Sequence, residues 1–483
     1  MKNYILSTII VFAFAGAQAQ VKVSQGNSSP GYKAVNQPVF SSFANDNANY
    51  FVIRRTENFE KINTLIIAGK TGNIGTATDI RINRGSFNNN SEVNNLLVAG
   101  NTIAAFVESR NKSEGKNTLS ARIIDNTGNV SSTDIPIGSI DFVKMSNAGT
   151  WYTALTPDGK HVAVVGKLPH EKNKPDQFKY FFLDDNLKET GHGEFSFNGT
   201  DEIHVWQFRA SDKGDLYIIA EAFDQSYKYP VVYEKLTGSA SATVIPVIIA
   251  DPHLRSLSYT TSVNSAGELI IAGYSQQKKS FSMGDVMAVG CWLFNSSKPQ
   301  EVKADPFTRP VANLTARNIV YNGDTFFLIG EQYKAEKESP TGSAMQQMNM
   351  PENYHYEHGD VMVTAFSNDG AKKFDIPLSR KWESRNADVE FMVASGIIGN
   401  KLALVYNDQY GKYVDDKYYR NYKLPVAVMI NNDGLMDAPV HFENELDVKL
   451  SSYTLLPLFF NANSGQMVLL SGNAESVKTV TFQ

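Results

Sequence analysis

The stretch Leu155-Thr156-Pro157-Asp158-Gly159-Lys160-His161-Val162-Ala163-Val164-Val165 joins a tight turn to a short apolar run. Small turn-forming residues stand in the same place, just ahead of a similar run, all along the chain. The early spacings between these turns are about fifty-five residues, and the last two are longer. A repeat of this length, built from strand-like units, predicts a β-propeller. The turn positions are Asn47, Gly100, Gly159, Gly214, Gly267, Gly323, Gly399 and Gly465.

The apolar run that follows each turn is nearly continuous. Such a run is typical of a strand that is buried on both faces, as inner propeller strands are between neighbouring blades. A further strand then leads into a second turn that often contains Asn-Gly or Asp-Gly, which favour tight hairpins. One unit therefore reads as four strands, a to d. The runs assigned to strand b are Tyr50–Ile53, Ile103–Val107, Val162–Val165, Leu216–Ile219, Leu269–Ala272, Phe326–Ile329, Leu402–Val405 and Met467–Leu470.

The two ends of the chain predict how the ring closes. The last unit ends at Val477–Phe482 and lacks a fourth strand, and Val21–Ser24 precedes the first complete unit and can supply it. A borrowed terminal strand removes the free sheet edge. We therefore predict an all-β fold, a single propeller of eight four-stranded blades closed by an N-terminal strand. Seven blades is the alternative, if the first unit is not a blade.

The N-terminus reads as a secretory signal. Lys2 is followed by the apolar segment Tyr4–Ala15 and the A-x-A site Ala17-Gln18-Ala19. Such a segment is too short to span a bilayer. We expect residues 1–19 to be a signal peptide and residues 20–483 to form the propeller. The mature chain would then be exported: periplasmic, associated with the outer membrane, or secreted.

Composition and motifs narrow the function classes. A net charge of −5 gives no support to nucleic-acid binding. Cys291 is the only cysteine and lies in an apolar run, so it reads as a small core residue. The sequence has no nucleophile elbow, zinc-protease motif or phosphate-binding loop, and we assign no catalytic residue and no cofactor.

The extra length of the chain falls in the connections between strands b and c. Short polar connections occur at Asn111–Lys116 and His170–Pro175, and the longest insertions are Lys334–Gly359 and Asn407–Lys423. All these connections leave one face of a propeller, because the strands are antiparallel. Long loops on one face of a rigid scaffold are a common place for binding.

The two long insertions supply the candidate binding residues, which are mostly tyrosines. Tyrosine and arginine are frequent in protein interfaces, and aromatic rings also stack on sugars. A hairpin whose tyrosines pack on each other explains the second insertion equally well. The candidates are Tyr354, Tyr356, Tyr410, Tyr413, Tyr418, Tyr419, Arg420 and Tyr422.

The first insertion also contains possible metal ligands. His355 and His358, near Met345, Met348 and Met350, offer imidazole and thioether groups that suit copper. No fixed geometry supports this interpretation, and protein contact is favoured over it. We predict no metal site, and the two histidines are the candidates if one exists.

The repeat and the N-terminal signal together give the chain a resemblance. It resembles the uncharacterised exported β-propeller proteins of Gram-negative bacteria, and that resemblance carries over no catalytic residues. We expect a non-enzymatic scaffold that binds a protein partner of the cell envelope through the b–c loops. The alternative is a carbohydrate-binding protein or glycan-active enzyme, with aromatic residues and carboxylates at the mouth of the central channel.

Overall fold

The computed structural model describes most of the chain in nineteen segments. These are residues 21–25, 39–44, 48–57, 60–69, 74–81, 89–199, 201–224, 227–239, 242–249, 256–278, 286–299, 302, 304–337, 354–385, 393–414, 417–441, 459–461, 466–470 and 477–482. The predicted signal peptide, residues 1–19, lies outside them. One short 3-10 helix, Met145–Asn147, is present in the part described, and that part contains no helix long and apolar enough to cross a membrane.

In the described residues, seven blades have four antiparallel strands each. Six of them use strands that follow one another in sequence, and the seventh combines the two ends of the chain. The first three blades contain β2 (Val39–Ala44), β3 (Ala48–Glu57), β4 (Glu60–Gly69) and β5 (Ile74–Ile80); β6 (Asn89–Ala99), β7 (Thr102–Asn111), β8 (Lys116–Ile124) and β9 (Ile135–Asp141); and β10 (Thr150–Leu155), β11 (Val162–Lys167), β12 (Gln177–Leu183) and β13 (Glu189–Ser196). The next three contain β14 (Val205–Ala210), β15 (Leu216–Asp224), β16 (Tyr227–Lys235) and β17 (Thr243–Pro246); β18 (Ser256–Val263), β19 (Leu269–Lys278), β20 (Val286–Asn295) and β21 (Asp305–Ala312); and β27 (Val393–Ile398), β28 (Lys401–Val414), β29 (Lys417–Ile430) and β30 (Val440–His441). The blade built from both ends of the chain contains β1 (Val21–Gln25), β31 (Phe459–Asn461), β32 (Gln466–Leu470) and β33 (Val477–Phe482).

The remaining sheet has five strands. It contains β22 (Leu314–Asn322), β23 (Thr325–Lys337), β24 (Tyr354–Ser367), β25 (Lys372–Leu378) and β26 (Trp382–Arg385). The prediction of eight four-stranded blades is therefore corrected: the described residues form seven blades of four strands. The five-stranded sheet departs from the pattern because β24 extends well beyond the end of β25, and β26 pairs with that extension, from His358↔Trp382 to His355↔Arg385.

The sheets are arranged as a ring around a central channel. The first strand of each sheet contacts the first strand of the next, and β31 contacts both β27 and β2. The N-terminal strand completes the last sheet, because β1 pairs antiparallel with β33 from Val21↔Phe482 to Gln25↔Lys478. The sequence-based prediction of closure by an N-terminal strand is confirmed.

The core lies between the blades, as the continuous apolar runs predicted. On β11 and β28, the residues Val162–Val165 and Leu402–Val405 are all buried. The turn glycines Gly159 and Gly214 have φ values of 70° and 90°, a region that favours glycine. Cys291 is fully buried among apolar residues, and burial raises the pKa of its thiol. It is a core residue, as predicted.

The two faces of the ring differ in their connections. One side of the ring carries the connections between the second and third strands of each blade and the crossovers to the next blade, and we call it the hairpin face. We call the opposite side the turn face. On the hairpin face, β7 and β8 join through a tight turn at residues 112–115, whereas β11 and β12 join through a longer segment. Both connections lie where the sequence placed them.

Candidate functional site

Two neighbouring hairpins extend the hairpin face. β23 pairs with β24 as far as Lys337↔Tyr354, and β28 pairs with β29 as far as Val414↔Lys417. The first insertion, predicted as a loop, is therefore strand over its described length, and the second forms the hairpin that the sequence left open as an alternative. Tyrosine is among the residues that favour strands, and the cross-strand partner decides the conformation. Residues 338–353 and 415–416, with the three methionines of the first insertion, lie outside the described residues.

The predicted binding residues fall on these hairpins. Tyr354 begins β24, and the ring of Tyr356 stacks on that of Tyr333, with centroids 6.3 Å apart and planes 15° apart. The other candidates lie on β28 and β29, for which the structure describes the backbone pairing but not the side chains of these residues. The register sets Tyr410 opposite Tyr422, Tyr413 opposite Tyr418, and Tyr419 opposite Lys412, and Arg420 lies on the same strand β29.

A buried charge cluster lies at the base of the β23/β24 hairpin. Both oxygens of Glu331 are used: Oε1 is 2.5 Å from Arg380 Nη2 and 2.8 Å from His358 Nδ1, and Oε2 is 3.0 Å from Arg317 Nε. Burial alone would raise the pKa of Glu331, but the two guanidiniums and the histidine outweigh burial and hold it at about 2. An ionised carboxylate only accepts hydrogen bonds, so Nδ1 of His358 carries a proton.

The cluster fixes the crossover that leaves the five-stranded sheet. Arg380 donates from Nε to the carbonyl of Gly359 at 2.8 Å, while its backbone N–H donates to Asp360 Oδ1 at 3.2 Å. A buried carboxylate that pairs with two guanidiniums holds them in one geometry, because without it their positive charges would be left unpaired. The base of the hairpin is thus rigid.

The edge next to β26 is covered by the neighbouring blade. Asp408 Oδ1 accepts the backbone N–H of Lys381 at 3.0 Å, and Gln409 Oε1 accepts that of Glu383 at 3.4 Å. Side chains from β28 thereby occupy N–H groups that an added strand would use. The two hairpins are joined at this point, and binding by strand addition is blocked there.

A cleft lies beside the first hairpin, on the side of the preceding blade. Its volume is about 360 Å³, and charged residues of both signs line it, including Lys334, Glu357, Lys381 and Glu383. Lys381 Nζ lies 2.9 Å from Glu383 Oε1. Mixed charges of this kind suit recognition by complementary polar contacts at an interface rim.

The two histidines considered for metal binding are separated by the strand. A spacing of three residues places His355 and His358 on opposite faces of β24. His358 contacts Glu331, whereas His355 Nε2 lies 3.4 Å from Glu357 Oε1. The pair does not converge on one ion. Within the described segments, no group of three or more histidine, cysteine or acidic side chains has the arrangement of a metal site.

Sequence reasoning missed a set of buried polar groups at the end of the second strands. Lys167 on β11 donates to the carbonyl of Ile203 at 2.7 Å and lies 3.2 Å from Asp176. Asn117, held by Glu108 on β7, donates to the carbonyls of Ala148 and Gly149. These groups secure the crossovers to the next blade. A charged residue that ends an apolar run, as in Val107-Glu108 and Gly166-Lys167, is the signal that could have identified them.

Comparison with known proteins gives likeness at the level of fold. No family model matches the chain, and no curated protein shows significant sequence similarity to it. Among solved structures, the WD40 domain of SCAP from fission yeast is 8% identical over 96% of this chain and 94% of that chain, with a TM-score of 0.40. The β-propeller domain of the Trilobed protease from Pyrococcus furiosus is 8% identical over 87% and 100%, with a TM-score of 0.38. An α-L-arabinanase from Penicillium chrysogenum, complexed with arabinobiose, is 9% identical over 65% and 93%, with a TM-score of 0.33. The fold assignment rests on the strand topology described above.

Proposed function

We propose that the chain is an exported scaffold that binds a protein partner of the cell envelope through its hairpin face. The observation that carries the proposal is the pair of extended hairpins, β23/β24 and β28/β29, on adjacent blades. Their bases are joined through Asp408 and Gln409 and stiffened by the Glu331 cluster. A preorganised surface loses little conformational entropy when it binds.

The composition of this surface supports a protein partner. Tyrosines are concentrated on both hairpins, and charged residues of both signs line the adjacent cleft. Interfaces commonly combine aromatic residues at the centre with a polar rim. Because side chains of β28 cover the outer edge of β26, recognition would proceed through side chains and not through an added strand.

The alternative function, a glycan-active enzyme, would most commonly use two carboxylates close together at the channel mouth, as glycoside hydrolases do. In the described innermost strands β2, β6, β10, β14, β18, β22, β27 and β31, Glu92 is the single acidic residue. These strands therefore do not bring two carboxylates together. We keep only the binding part of that alternative, which is taken up below.

The test is an affinity pull-down of the tagged mature chain from its native envelope, with mass spectrometry. In the test variant, residues 410–422 are replaced by the turn Asn-Gly, which removes the outer part of the hairpin. The turn joins Gln409 to Lys423, which face each other in register. The control is Leu435→Ser, at a residue 72% exposed on the turn face of the same blade. We expect a stoichiometric partner with the wild type and the control, and its loss with the shortened hairpin. Equal capture by all three proteins would reject the proposal.

A further inference from the structure

Trp206 is an exposed tryptophan at the inner wall of the ring. The other three tryptophans, Trp151, Trp292 and Trp382, are buried, whereas Trp206 is 44% exposed. It stands at a register shift between Val205 and Gln207, where β14 pairs with β15. An extra residue of this kind bends the strand and redirects its side chain. Because β14 begins at the hairpin face, Trp206 lies at that mouth of the channel.

The same irregularity occurs on the first strand of three other blades, and in two of these the bulged residue has a structural purpose. Asn94 occupies it on β6 and donates to Glu108 at 3.1 Å, and Arg317 occupies it on β22 and donates to Glu331 at 3.0 Å. Both glutamates are buried. In the β14–β17 blade the corresponding glutamate, Glu221, has a side chain that is 31% exposed. In this blade the bulged residue is the apolar Trp206, and the carboxylate of Glu221 stays accessible to solvent.

The next blade completes this surface. Tyr259 on β18 has its ring 4.8 Å from that of Trp206, at 67°, and donates from its hydroxyl to Glu221 Oε1 at 3.1 Å. Burial and the nearby carboxylate raise the pKa of Tyr259, so the hydroxyl keeps its proton. The second oxygen of Glu221 lies 3.3 Å from Lys228 Nζ. Two aromatic rings thus adjoin a carboxylate, a hydroxyl and an ammonium group.

We propose that Trp206, Tyr259, Glu221 and Lys228 form a binding site for a neutral sugar residue. A sugar ring has an apolar face of C–H groups, which suits the exposed indole, and a rim of hydroxyls that both donate and accept. The carboxylate accepts from such hydroxyls, and the ammonium donates to them. A cationic ligand fits less well, because Glu221 already faces Lys228. This site is independent of the protein-binding surface on the two long hairpins.

The experiment measures binding of neutral hexasaccharides to the mature chain by calorimetry at millimolar ligand. The probes are the hexamers of β-1,4-glucose, β-1,4-xylose, β-1,4-N-acetylglucosamine, β-1,4-mannose, α-1,4-glucose and α-1,5-arabinose, with tetramethylammonium and hexalysine as cationic probes. The variants are Trp206→Ala, Trp206→Phe and Glu221→Gln. The matched control is Tyr321→Ala, at an aromatic residue 37% exposed on the inner strand β22. Melting temperatures show whether each variant is folded.

We expect at least one hexasaccharide to bind, and Trp206→Ala to weaken its binding roughly tenfold or more. Trp206→Phe should retain part of the affinity, Glu221→Gln should weaken it, and Tyr321→Ala should not change it. If no hexasaccharide binds the wild type, or if Trp206→Ala binds as the wild type does, the proposal is wrong. Binding of the cationic probes alone would also overturn it and assign a cation site instead.

Discussion

Single charged side chains at the ends of buried strands determine how this ring is held together. Glu331, Lys167 and Glu108 follow apolar runs and would be costly to bury alone. Each is compensated by groups from a crossover or an adjacent strand. The same residues that secure the crossovers therefore also make the inner part of the hairpin face rigid.

The first residue-scale prediction concerns the pH dependence of stability. The pKa of Glu331 is about 2 in the folded protein, against an ordinary value of 4.5. Its contribution to stability is therefore fully present above about pH 4.5 and is lost as the pH falls towards 2. The difference corresponds to about 3 kcal/mol.

Glu331→Gln should abolish that part of the pH dependence. It should also lower the free energy of unfolding at pH 7 by about 3 to 5 kcal/mol, because the buried guanidinium of Arg380 and the partly buried one of Arg317 then face each other without a carboxylate. Urea unfolding between pH 7 and pH 2.5 measures both effects. Glu357→Gln, at an exposed carboxylate of the same hairpin, is the control and should behave as the wild type. An unchanged pH profile in Glu331→Gln would show that the cluster is not the source.

The second residue-scale prediction concerns packing within the β10–β13 blade. A Cβ atom at Gly166 would lie 2.7 Å from the buried ring of Trp151, whereas one at Gly191 in the same blade would meet nothing within 4 Å. Gly166→Ala should cost about 1 to 3 kcal/mol through overpacking, and Gly191→Ala should change stability by less than about 0.5 kcal/mol. Thermal unfolding of the two variants measures the difference. Equal stability of the two would mean that the ring of Trp151 yields easily.

The strands themselves were predictable from local sequence, and their extensions were not. Continuous apolar runs and turn glycines locate the second strand of each unit, as at Val162–Val165 on β11 and Leu402–Val405 on β28. The strand β26 has only the four residues Trp382–Arg385, and its conformation depends on pairing with the extension of β24. Non-local pairing of this kind leaves no periodic pattern in a short segment.

The candidate site was predictable to the same limited degree. The sequence located both insertions and their tyrosines. It did not indicate Trp206, because an exposed residue at a bulge looks like any other residue of a strand until the pairing is known. The four members of the proposed sugar site come from β14, β15, β16 and β18, and spacing along the chain cannot reveal such a group.

The element-scale prediction concerns the join between the two hairpins. Asp408→Ala removes the acceptor of the Lys381 backbone N–H, so amides in residues 380–385 should exchange hydrogen about tenfold faster. Hydrogen exchange with mass spectrometry measures this segment directly. Lys381→Ala is the control, because it removes the side chain and keeps the N–H. If exchange in residues 380–385 is unchanged in Asp408→Ala, the join does not depend on this hydrogen bond.

At the scale of the whole molecule, the functional proposals depend on the order of the sheets in the ring. The hairpins β23/β24 and β28/β29 form one surface because their blades are neighbours, and Trp206 meets Tyr259 because β14 contacts β18. The ring holds this order only if it is closed. Closure brings the two ends of the chain together: β31 contacts β2, and β1 pairs with β33 at the outer side of the same sheet.

The most direct test is therefore a disulfide across the β1–β33 pairing, in residues 20–483 with Cys291→Ala. Val23 and Val480 face each other in register, so Val23→Cys with Val480→Cys should form an intrachain disulfide on mild oxidation and raise the melting temperature. Val23→Cys with Thr479→Cys is shifted by one residue, which turns the second side chain to the other face of the sheet, and it should not cross-link. Thiol counting and non-reducing electrophoresis distinguish the two proteins. Efficient cross-linking of the first pair alone is the predicted result; no intrachain bond in either pair, or equal cross-linking in both, would contradict the closed ring.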